Sequence, residues 1–199
     1  MTRVRARLAS GNEHKLRELR ALLPEWDLDV LDADGFPEET DETFYENALA
    51  KALFGRRVGP PDEWILGEDS GLQVEGLAGG PGIRSARYAG EGATDEENVA
   101  KLLAELSDAT GDERRARYVS ELVCITPEGD ARRGSGILEG RIGNEPRGSA
   151  GFGYDPVFIP SGEERTVAEL GDDWKRESSH RARAARALDA AVGAAPSAL

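Results

Sequence analysis

The residues best suited to chemistry in this sequence stand at the end of a short apolar run. Glu68 and Asp69 follow Trp64-Ile65-Leu66 and precede Ser70-Gly71. Adjacent carboxylates at the end of a buried strand often lie at the binding crevice of an α/β sheet. Two oxygen ligands suit Mg²⁺, which commonly bridges to substrate phosphates. We predict a strand followed by a turn at Gly71, which would let both carboxylates reach one Mg²⁺. The alternative is a solvated acidic turn with no bound ion.

A second group of residues, near the amino terminus, has the makings of a phosphate cradle. Alternating apolar residues from Val4 to Leu8 predict a strand, and Ser10-Gly11-Asn12 then leads into leucines at helical spacing. A helix that begins after a glycine turn offers N–H groups and the positive end of its dipole to an anion. Lys15 adds a cation in the first turn. The alternative is an ordinary capped helix, and the spacing matches neither a P-loop nor a dinucleotide fingerprint.

Two further segments carry side chains that suit a nucleotide. In the run from Gly151 to Pro156, Phe152 would stack on a base and Asp155 would accept a hydrogen bond from a base N–H. Packing of the aromatic rings in the core is the alternative. Lys175, followed by Ser179-His180-Arg181, brings cationic groups to the start of the predicted last helix, where an anion would be favoured.

The elements that would position these residues alternate between strand and helix. Further strands are predicted near Leu28–Leu31, at Leu72-Gln73-Val74, over Arg117–Ile125 and Ala131–Ile142, and at Pro156–Ile159. Further helices are predicted from the capping signals at Thr43 and Thr94, and from Ser178 or Ser179 through about Val192. This mixture predicts an α/β fold around a mixed sheet flanked by helices.

Length and charge limit the possible functions. The chain has 199 residues, a net charge of −13 and one cysteine, Cys124. The length indicates one domain or two joined lobes, and a lone cysteine excludes a disulfide framework. The acidic excess argues against nucleic acid or an anionic membrane as a partner. No stretch reaches the ~20 apolar residues of a membrane span, and no apolar signal core follows the first residues, so we expect a cytoplasmic protein.

Seven short motifs follow one another through the chain. They are Ser10-Gly11-Asn12 with Lys15, Glu38-Glu39-Thr40, Thr43 to Ala48, Glu68 to Leu72, Pro81 to Tyr88, Gly151 to Pro156, and Ser179-His180-Arg181. In this order they resemble the inosine triphosphate pyrophosphatase family, the non-canonical purine nucleoside triphosphate pyrophosphatases. The resemblance extends from Leu8 to about Leu188.

The resemblance implies a fold, a reaction and an assembly. The expected fold is a single domain over residues 1–199, with two lobes, a long mixed sheet and a cleft between the lobes. The expected reaction is the Mg²⁺-dependent hydrolysis of ITP, dITP and XTP to the monophosphate and pyrophosphate. The expected assembly is a homodimer.

The resemblance also assigns roles by matching position. Glu38, Glu68 and Asp69 would serve the metal, and Asp69 would be the proton acceptor. Ser10, Gly11, Asn12 and Lys15 would hold phosphate, and the nucleotide would be contacted by Ser70, Phe152, Gly153, Tyr154, Asp155, Lys175, His180 and Arg181. Many bacterial relatives carry an aspartate in place of Glu68, whose carboxylate is one methylene longer.

The chemistry of the base agrees with these assignments. A 6-oxopurine shows an N1–H donor and an O6 acceptor, so Asp155 accepting from N1–H and Arg181 donating to O6 would reject adenine. GTP offers the same two groups, so these two contacts do not reject it. An enzyme for pyrimidine or modified nucleotides, or a nucleotide-binding protein without turnover, are the alternatives; Lys15, Asp69 and Lys175 together favour an enzyme.

Overall fold

The computed structural model describes residues 3–37, 39 and 42–193. In these ranges the strands are β1 (Val4–Leu8), β2 (Trp26–Val30), β3 (Trp64–Val74), β4 (Arg115–Ile125), β5 (Ala131–Ile142) and β6 (Phe158–Pro160). They form one sheet in the order β2-β1-β3-β4-β5-β6. β1 is parallel to both β2 and β3, whereas β5 is antiparallel to β6. The expected mixed α/β sheet is therefore confirmed.

Helices α1, α2 and α3 begin where the capping signals predict, and the last helix begins next to the predicted Ser179. They are α1 (Glu13–Leu22), α2 (Phe44–Val58), α3 (Asp95–Glu105), α4 (Val167–Ser178) and α5 (His180–Gly193), with short 3-10 helices at Glu75–Leu77, Gly82–Arg87 and Gly111–Arg114. The side chains of Asn12, Thr43 and Thr94 accept hydrogen bonds from backbone N–H groups of α1, α2 and α3. Each side chain satisfies donors that have no partner inside the helix.

The structure corrects three local interpretations. The turn predicted at Gly71 is wrong, because β3 continues from Trp64 to Val74 without a break, and neighbouring strand residues point to opposite faces. The last strand begins at Phe158 rather than Pro156. Helix α4 was not predicted, although Thr166 and Glu169 form a capping box at its start. Gly171, with a φ of 83°, has a non-helical backbone inside α4. This break interrupts the helical spacing of apolar residues by which the sequence would have indicated the helix.

The chain divides into two compact units. The first unit consists of Met1–Asp69, Ser120–Gly136 and His180–Leu199, and the second of Ser70–Val119 and Ile137–Ser179. The core of the first unit is formed mainly by Ala6, Leu8, Leu16, Leu19, Leu28, Leu66, Leu122, Ala184 and Leu188. That of the second is formed mainly by Leu72, Val74, Val99, Leu102, Tyr118, Leu138, Tyr154, Val157 and Phe158. The single domain and the cleft between lobes stay predictions. Within the described ranges, no helix is long and apolar enough to cross a membrane.

Candidate active site

Close packing of α2 on β3 brings a lysine to the two carboxylates of the first unit. Ala48 and Ala52 are fully buried on the face of α2 that meets the strand. Gly67 lies under them, and a Cβ atom at that position would collide with the Ala48 carbonyl oxygen. Only glycine permits this approach. It places Lys51, on the same face of α2, beside Glu68 and Asp69.

Lys51 is buried and fully engaged by acceptors. Its Nζ donates to the Glu68 carbonyl oxygen at 3.1 Å and to Asp69 Oδ1 at 3.2 Å, and it also contacts the Glu39 carboxylate. Burial by itself would lower the Lys51 pKa, but the negative charges of Asp69 and Glu39 outweigh burial, so the pKa is raised. The sequence analysis missed Lys51. Its signal was a lysine on the apolar stripe of an amphipathic helix, in a chain with only four lysines.

Glu68 lies between two cations in the interior of the first unit. Its side chain is fully buried; Oε2 pairs with Lys15 Nζ at 2.6 Å, and Oε1 accepts from Arg181 Nη2 at 3.0 Å. Burial would raise the pKa of this carboxyl group, but Lys15 and Arg181 outweigh burial and hold the pKa far below its usual range. Arg181 is itself 2% exposed, and its Nη1 donates to Glu18 at 2.5 Å. Glu68 is therefore a permanent negative charge that fixes two cations.

Asp69 has one oxygen in use and one available. Oδ1 accepts from Lys51, whereas Oδ2 is buried and has no hydrogen-bond partner among the described residues. Burial raises the pKa of Asp69 to about 6, an effect that Lys51 and Lys15 partly offset and that Glu39 and Glu68 reinforce. A carboxylate with a pKa close to neutral and a buried, unused oxygen is suited to accept a proton.

The start of α1 brings Lys15 to the same cluster, and the other predicted phosphate-binding residues form the turn before it. The Asn12 side chain accepts from the backbone N–H groups of His14 and Lys15 at 3.0 and 3.1 Å. Ser10 Oγ accepts from the Asn12 N–H at 3.2 Å. Because this turn fixes the first turn of the helix, Lys15 points its ammonium group at Glu68. Gly11 is exposed in the same turn.

A second cluster lies within the second unit and joins Asp155 to Lys175. Asp155 is 3% exposed, and its Oδ2 accepts from Lys175 Nζ at 2.7 Å and from the Phe152 N–H at 3.0 Å. Its Oδ1 accepts from the Tyr118 hydroxyl group at 3.3 Å. The Lys175 ammonium group lies 4.9 Å from the centre of the half-buried Phe152 ring, a cation–π distance.

Glycine is required at the start of this cluster. Gly151 has a φ of 82°, and a Cβ atom there would collide with Asp155 Oδ2. The backbone can therefore close around the carboxylate only at a residue without a side chain. Tyr154 is buried and donates its hydroxyl group to the Ser85 carbonyl oxygen at 2.8 Å. We call residues 151–155 the aromatic loop.

The predicted site residues thus fall into two groups. Ser10, Gly11, Asn12, Lys15, Glu68, Asp69, His180 and Arg181 belong to the first unit, and Ser70, Phe152, Gly153, Tyr154, Asp155 and Lys175 to the second. Lys175 lies in α4, not at the start of the last helix. His180 is the first residue of α5 and is 5% exposed. Glu38 lies outside the described residues, so its assignment to the metal stays a prediction.

Comparison with known proteins identifies the family. Residues 6–191 match the sequence model of the Ham1 family. The chain belongs to the Ham1 family. It is 46% identical over 187 residues to a protein of Bdellovibrio bacteriovorus named dITP/XTP pyrophosphatase, covering 91% of this chain and 94% of the relative.

Solved structures agree with this assignment. A HAM1 protein from Coxiella burnetii is 35% identical, with a TM-score of 0.83 over 95% of this chain and 98% of that one. A nucleoside-triphosphatase and dITP/XTP pyrophosphatase from Mycobacterium abscessus is 38% identical, with a TM-score of 0.75 over 93% of this chain and 97% of that one. The family resemblance found in the sequence motifs is therefore confirmed.

We call Lys15, Lys51, Glu68, Asp69 and Arg181 the first cluster. In one respect, this cluster of the Ham1-family protein fits a magnesium ion. Asp69 Oδ2 is a buried, unpartnered carboxylate oxygen, which is the kind of ligand that Mg²⁺ prefers. In contrast, both oxygens of Glu68 face cations. No group of three acidic, histidine or cysteine side chains is arranged to hold a metal within the described ranges. These residues fit an ion held by one protein carboxylate, with water and substrate supplying its other ligands.

Proposed function

We propose that the chain hydrolyses the non-canonical purine nucleoside triphosphates ITP, dITP and XTP to the monophosphate and pyrophosphate, removing them from the nucleotide pool. The observation that carries the proposal is Asp69, a buried carboxylate with a pKa near neutral, one free oxygen and a lysine on the other. The relatives named dITP/XTP pyrophosphatase support the choice of substrate.

The first cluster would bind and neutralise the phosphates. Lys15 and Lys51 are cations held in place by buried carboxylates, and the N-terminus of α1 with Ser10, Gly11 and Asn12 adds backbone dipoles. Catalysis of phosphoryl transfer depends mainly on positioning and charge stabilisation. Fixed lysines meet both needs, because their side chains do not have to be ordered when substrate binds.

The proton acceptor in the proposed reaction is Asp69. A water oxygen forms a bond to the α-phosphorus, its proton passes to Asp69, and the bond from that phosphorus to the α,β-bridging oxygen breaks. Both electrons of that bond leave with pyrophosphate. Asp69, with Glu38 as the resemblance implies, would hold Mg²⁺, which when bound would supply positive charge and a more acidic water. The resemblance also assigns Glu68 to the metal, but its two oxygens face Lys15 and Arg181, so it would act on the ion through its charge and not as a direct ligand.

The second cluster would read the base. The Phe152 ring offers a stacking surface, and Lys175 is a buried ammonium group held by Asp155. An ammonium group only donates hydrogen bonds. It would therefore pair with O6 of a 6-oxopurine and reject the 6-amino group of adenine, since a mismatch leaves buried polar groups unpaired. This replaces the O6 contact expected from Arg181, because the Arg181 guanidinium group is paired with Glu18 and Glu68 in the structure. His180, Arg181 and Ser70 keep the nucleotide-contact roles that the resemblance implies.

The assembly and location are also proposals. The resemblance to the family leads us to propose a homodimer, which light scattering coupled to gel filtration tests. The proposed substrates, which belong to the cellular nucleotide pool, lead us to propose a cytoplasmic enzyme. The net charge of −13 leads us to propose that nucleic acids and membranes are not partners.

One assay tests the reaction type and the base selectivity together. ITP, XTP, GTP, ATP and dUTP are each incubated with the protein and graded Mg²⁺, and orthophosphate is measured with and without inorganic pyrophosphatase. The proposal expects orthophosphate from ITP and XTP only when pyrophosphatase is added, and none after chelation of Mg²⁺. Orthophosphate without the auxiliary enzyme would refute the cleavage position, and preference for dUTP would refute the purine assignment. Asp69→Asn protein serves as the control for contaminating phosphatases.

A further inference from the structure

The aromatic loop is anchored from outside at two consecutive residues. The Gly153 N–H donates to Asp95 Oδ2 at 2.6 Å, and the Tyr154 hydroxyl group donates to the Ser85 carbonyl oxygen at 2.8 Å. The residue before these anchors is Phe152, and the residue after them is Asp155. The two anchors therefore lie between Phe152, which would stack on the base, and Asp155, which holds Lys175.

Both anchors belong to one firmly built support in the second unit. Asp95 is the first residue of α3, whose start is closed by a capping box between Thr94 and Glu97. Asn98, one turn later, is 2% exposed; its side chain accepts from the Ala89 N–H at 2.7 Å and donates to the Ala86 carbonyl oxygen at 3.2 Å. These bonds fix α3 to the 3-10 helix at Gly82–Arg87 and to the segment that follows it.

The same 3-10 helix carries the second anchor. Ser85 is buried, and its hydroxyl group accepts from the Leu72 N–H at 2.8 Å and donates to the Gly82 carbonyl oxygen at 2.6 Å. The motif from Pro81 to Tyr88 had no role in the sequence analysis beyond its place in the family pattern. Here it forms, with α3, the platform on which the aromatic loop rests.

Gly153 is the residue of the aromatic loop whose backbone is least restrained by packing. Its φ is 62°, it has no side chain to pack, and a Cβ atom there would meet nothing within 4 Å. A glycine without packing contacts retains many backbone conformations. The hydrogen bond from its N–H to Asp95 limits them, and the placement of the Phe152 ring near Lys175 depends on the backbone at this position.

From this arrangement we propose that Asp95 is a positioning residue for base recognition, which holds the Gly153 N–H and so keeps Phe152 and Asp155 in register with Lys175. The inference rests on the proposed function, because it assigns the aromatic loop to the base. It separates Asp95 from the phosphate-binding cluster: loss of Asp95 should weaken contacts to the base and leave contacts to the phosphates unchanged.

Two substitutions separate the hydrogen bond from the charge of Asp95. Asp95→Asn keeps an oxygen that can accept from the Gly153 N–H, whereas Asp95→Ala removes it. Glu96→Ala is the matched control, because Glu96 is also exposed in the first turn of α3 and its loss changes the helix-dipole interaction in the same way. Circular dichroism and thermal unfolding establish that each variant is folded.

The readouts are kcat and KM for ITP, and the inhibition constants of inosine 5′-monophosphate and of inorganic tripolyphosphate. In Asp95→Ala, the Gly153 N–H loses its hydrogen bond to the Asp95 carboxylate. KM for ITP and the inhibition constant of inosine 5′-monophosphate should each rise about tenfold, whereas kcat should change less than about threefold. The tripolyphosphate constant should not change. Asp95→Asn and Glu96→Ala should both behave like the unsubstituted protein.

Two results would overturn the proposal. One is an Asp95→Ala protein whose monophosphate constant is unchanged; the other is an equal rise in the monophosphate and tripolyphosphate constants, which would indicate general disruption. Failure of the proposed function itself is seen separately, as an unsubstituted protein that releases no pyrophosphate from ITP.

Discussion

Two adjacent carboxyl groups on β3 have pKa values that are shifted in opposite directions. Glu68 faces Lys15 and Arg181, and its pKa is far below the usual range. Asp69 faces one lysine at hydrogen-bond distance, and burial raises its pKa to about 6. The number of cations in contact with each carboxylate accounts for the difference. One residue can therefore act as a fixed charge and its neighbour as a group that exchanges a proton near neutral pH.

Asp69→Asn should abolish turnover and stabilise the protein. A carboxyl group whose pKa rises from 3.8 to about 6 on folding binds its proton more tightly in the folded state. The free energy of unfolding therefore falls as pH rises through this interval and stays lower above it. The asparagine removes this loss, which amounts to about 3 kcal/mol at most above pH 6.

Urea unfolding in EDTA at pH 4 and pH 8 measures this effect. The gain of Asp69→Asn over the unsubstituted protein should appear at pH 8 and nearly vanish at pH 4. Asp108→Asn, at an exposed position in the second unit, should show no gain at either pH. A stability loss in Asp69→Asn at pH 8 would contradict the raised pKa.

Lys51→Met should reduce both activity and stability, and the stability loss should depend on pH. Removal of one partner from a buried ion pair leaves an uncompensated charge and costs about 3–5 kcal/mol. Here Asp69 can bind a proton instead, so the loss in the free energy of unfolding should be smaller at pH 5 than at pH 8. We expect kcat/KM for ITP to fall at least about 100-fold, since a phosphate-neutralising cation is lost.

Arg57→Met is the matched control for Lys51→Met. Arg57 is exposed in the last turn of the same helix, so its loss should change neither kcat/KM nor stability by more than about 0.5 kcal/mol. Equal effects at positions 51 and 57 would show that the helix, rather than the buried ammonium group, is responsible.

At the scale of helices and strands, the sequence predicts helix caps but not how helices pack on strands. The caps at Asn12, Thr43 and Thr94 could be predicted, because a cap and the backbone groups that it satisfies lie within three residues of each other. The contact of Lys51 with Asp69 could not, because it depends on how α2 lies on β3. The pairing of Asp155 with Lys175 depends in the same way on α4, whose helical pattern Gly171 interrupts.

Gly67→Ala tests the packing that places Lys51. The added methyl group would collide with the Ala48 carbonyl oxygen and crowd the Ala52 nitrogen, so α2 must move away from β3. Overpacking of this kind costs about 1–3 kcal/mol. Activity should fall by more than the stability loss explains, because Lys51 moves with the helix. Gly35→Ala, where a Cβ atom meets nothing within 4 Å, should change neither quantity; an active, stable Gly67→Ala protein would refute the argument.

Over the whole molecule, the lysines are concentrated at the two clusters. Of the four lysines, Lys51 and Lys175 are buried, Lys15 is half-buried, and each of these three is paired with a carboxylate of one of the two clusters; only Lys101 is exposed. An ammonium group is a compact point charge with donors in several directions, which suits phosphate and carbonyl oxygens. In the proposed function, these fixed ammonium groups would meet the phosphate and carbonyl oxygens of the substrate locally, although the net charge of the chain is −13.

The same net charge makes the stability of the protein sensitive to salt. The chain has 38 acidic residues and 25 basic ones. The acidic residues in excess repel one another across the surface, and this repulsion destabilises the folded state. Raising NaCl from 10 to 200 mM shortens the screening length from about 30 Å to below about 10 Å. Relief of about 1 kcal/mol of repulsion should raise Tm by about 2–4 °C for a chain of this length. Calorimetry in EDTA measures the shift, and choline chloride at equal ionic strength should reproduce it if screening is the cause. A fall in Tm would mean that surface ion pairs, such as that between Arg20 and Asp29, contribute more to stability than the self-repulsion removes.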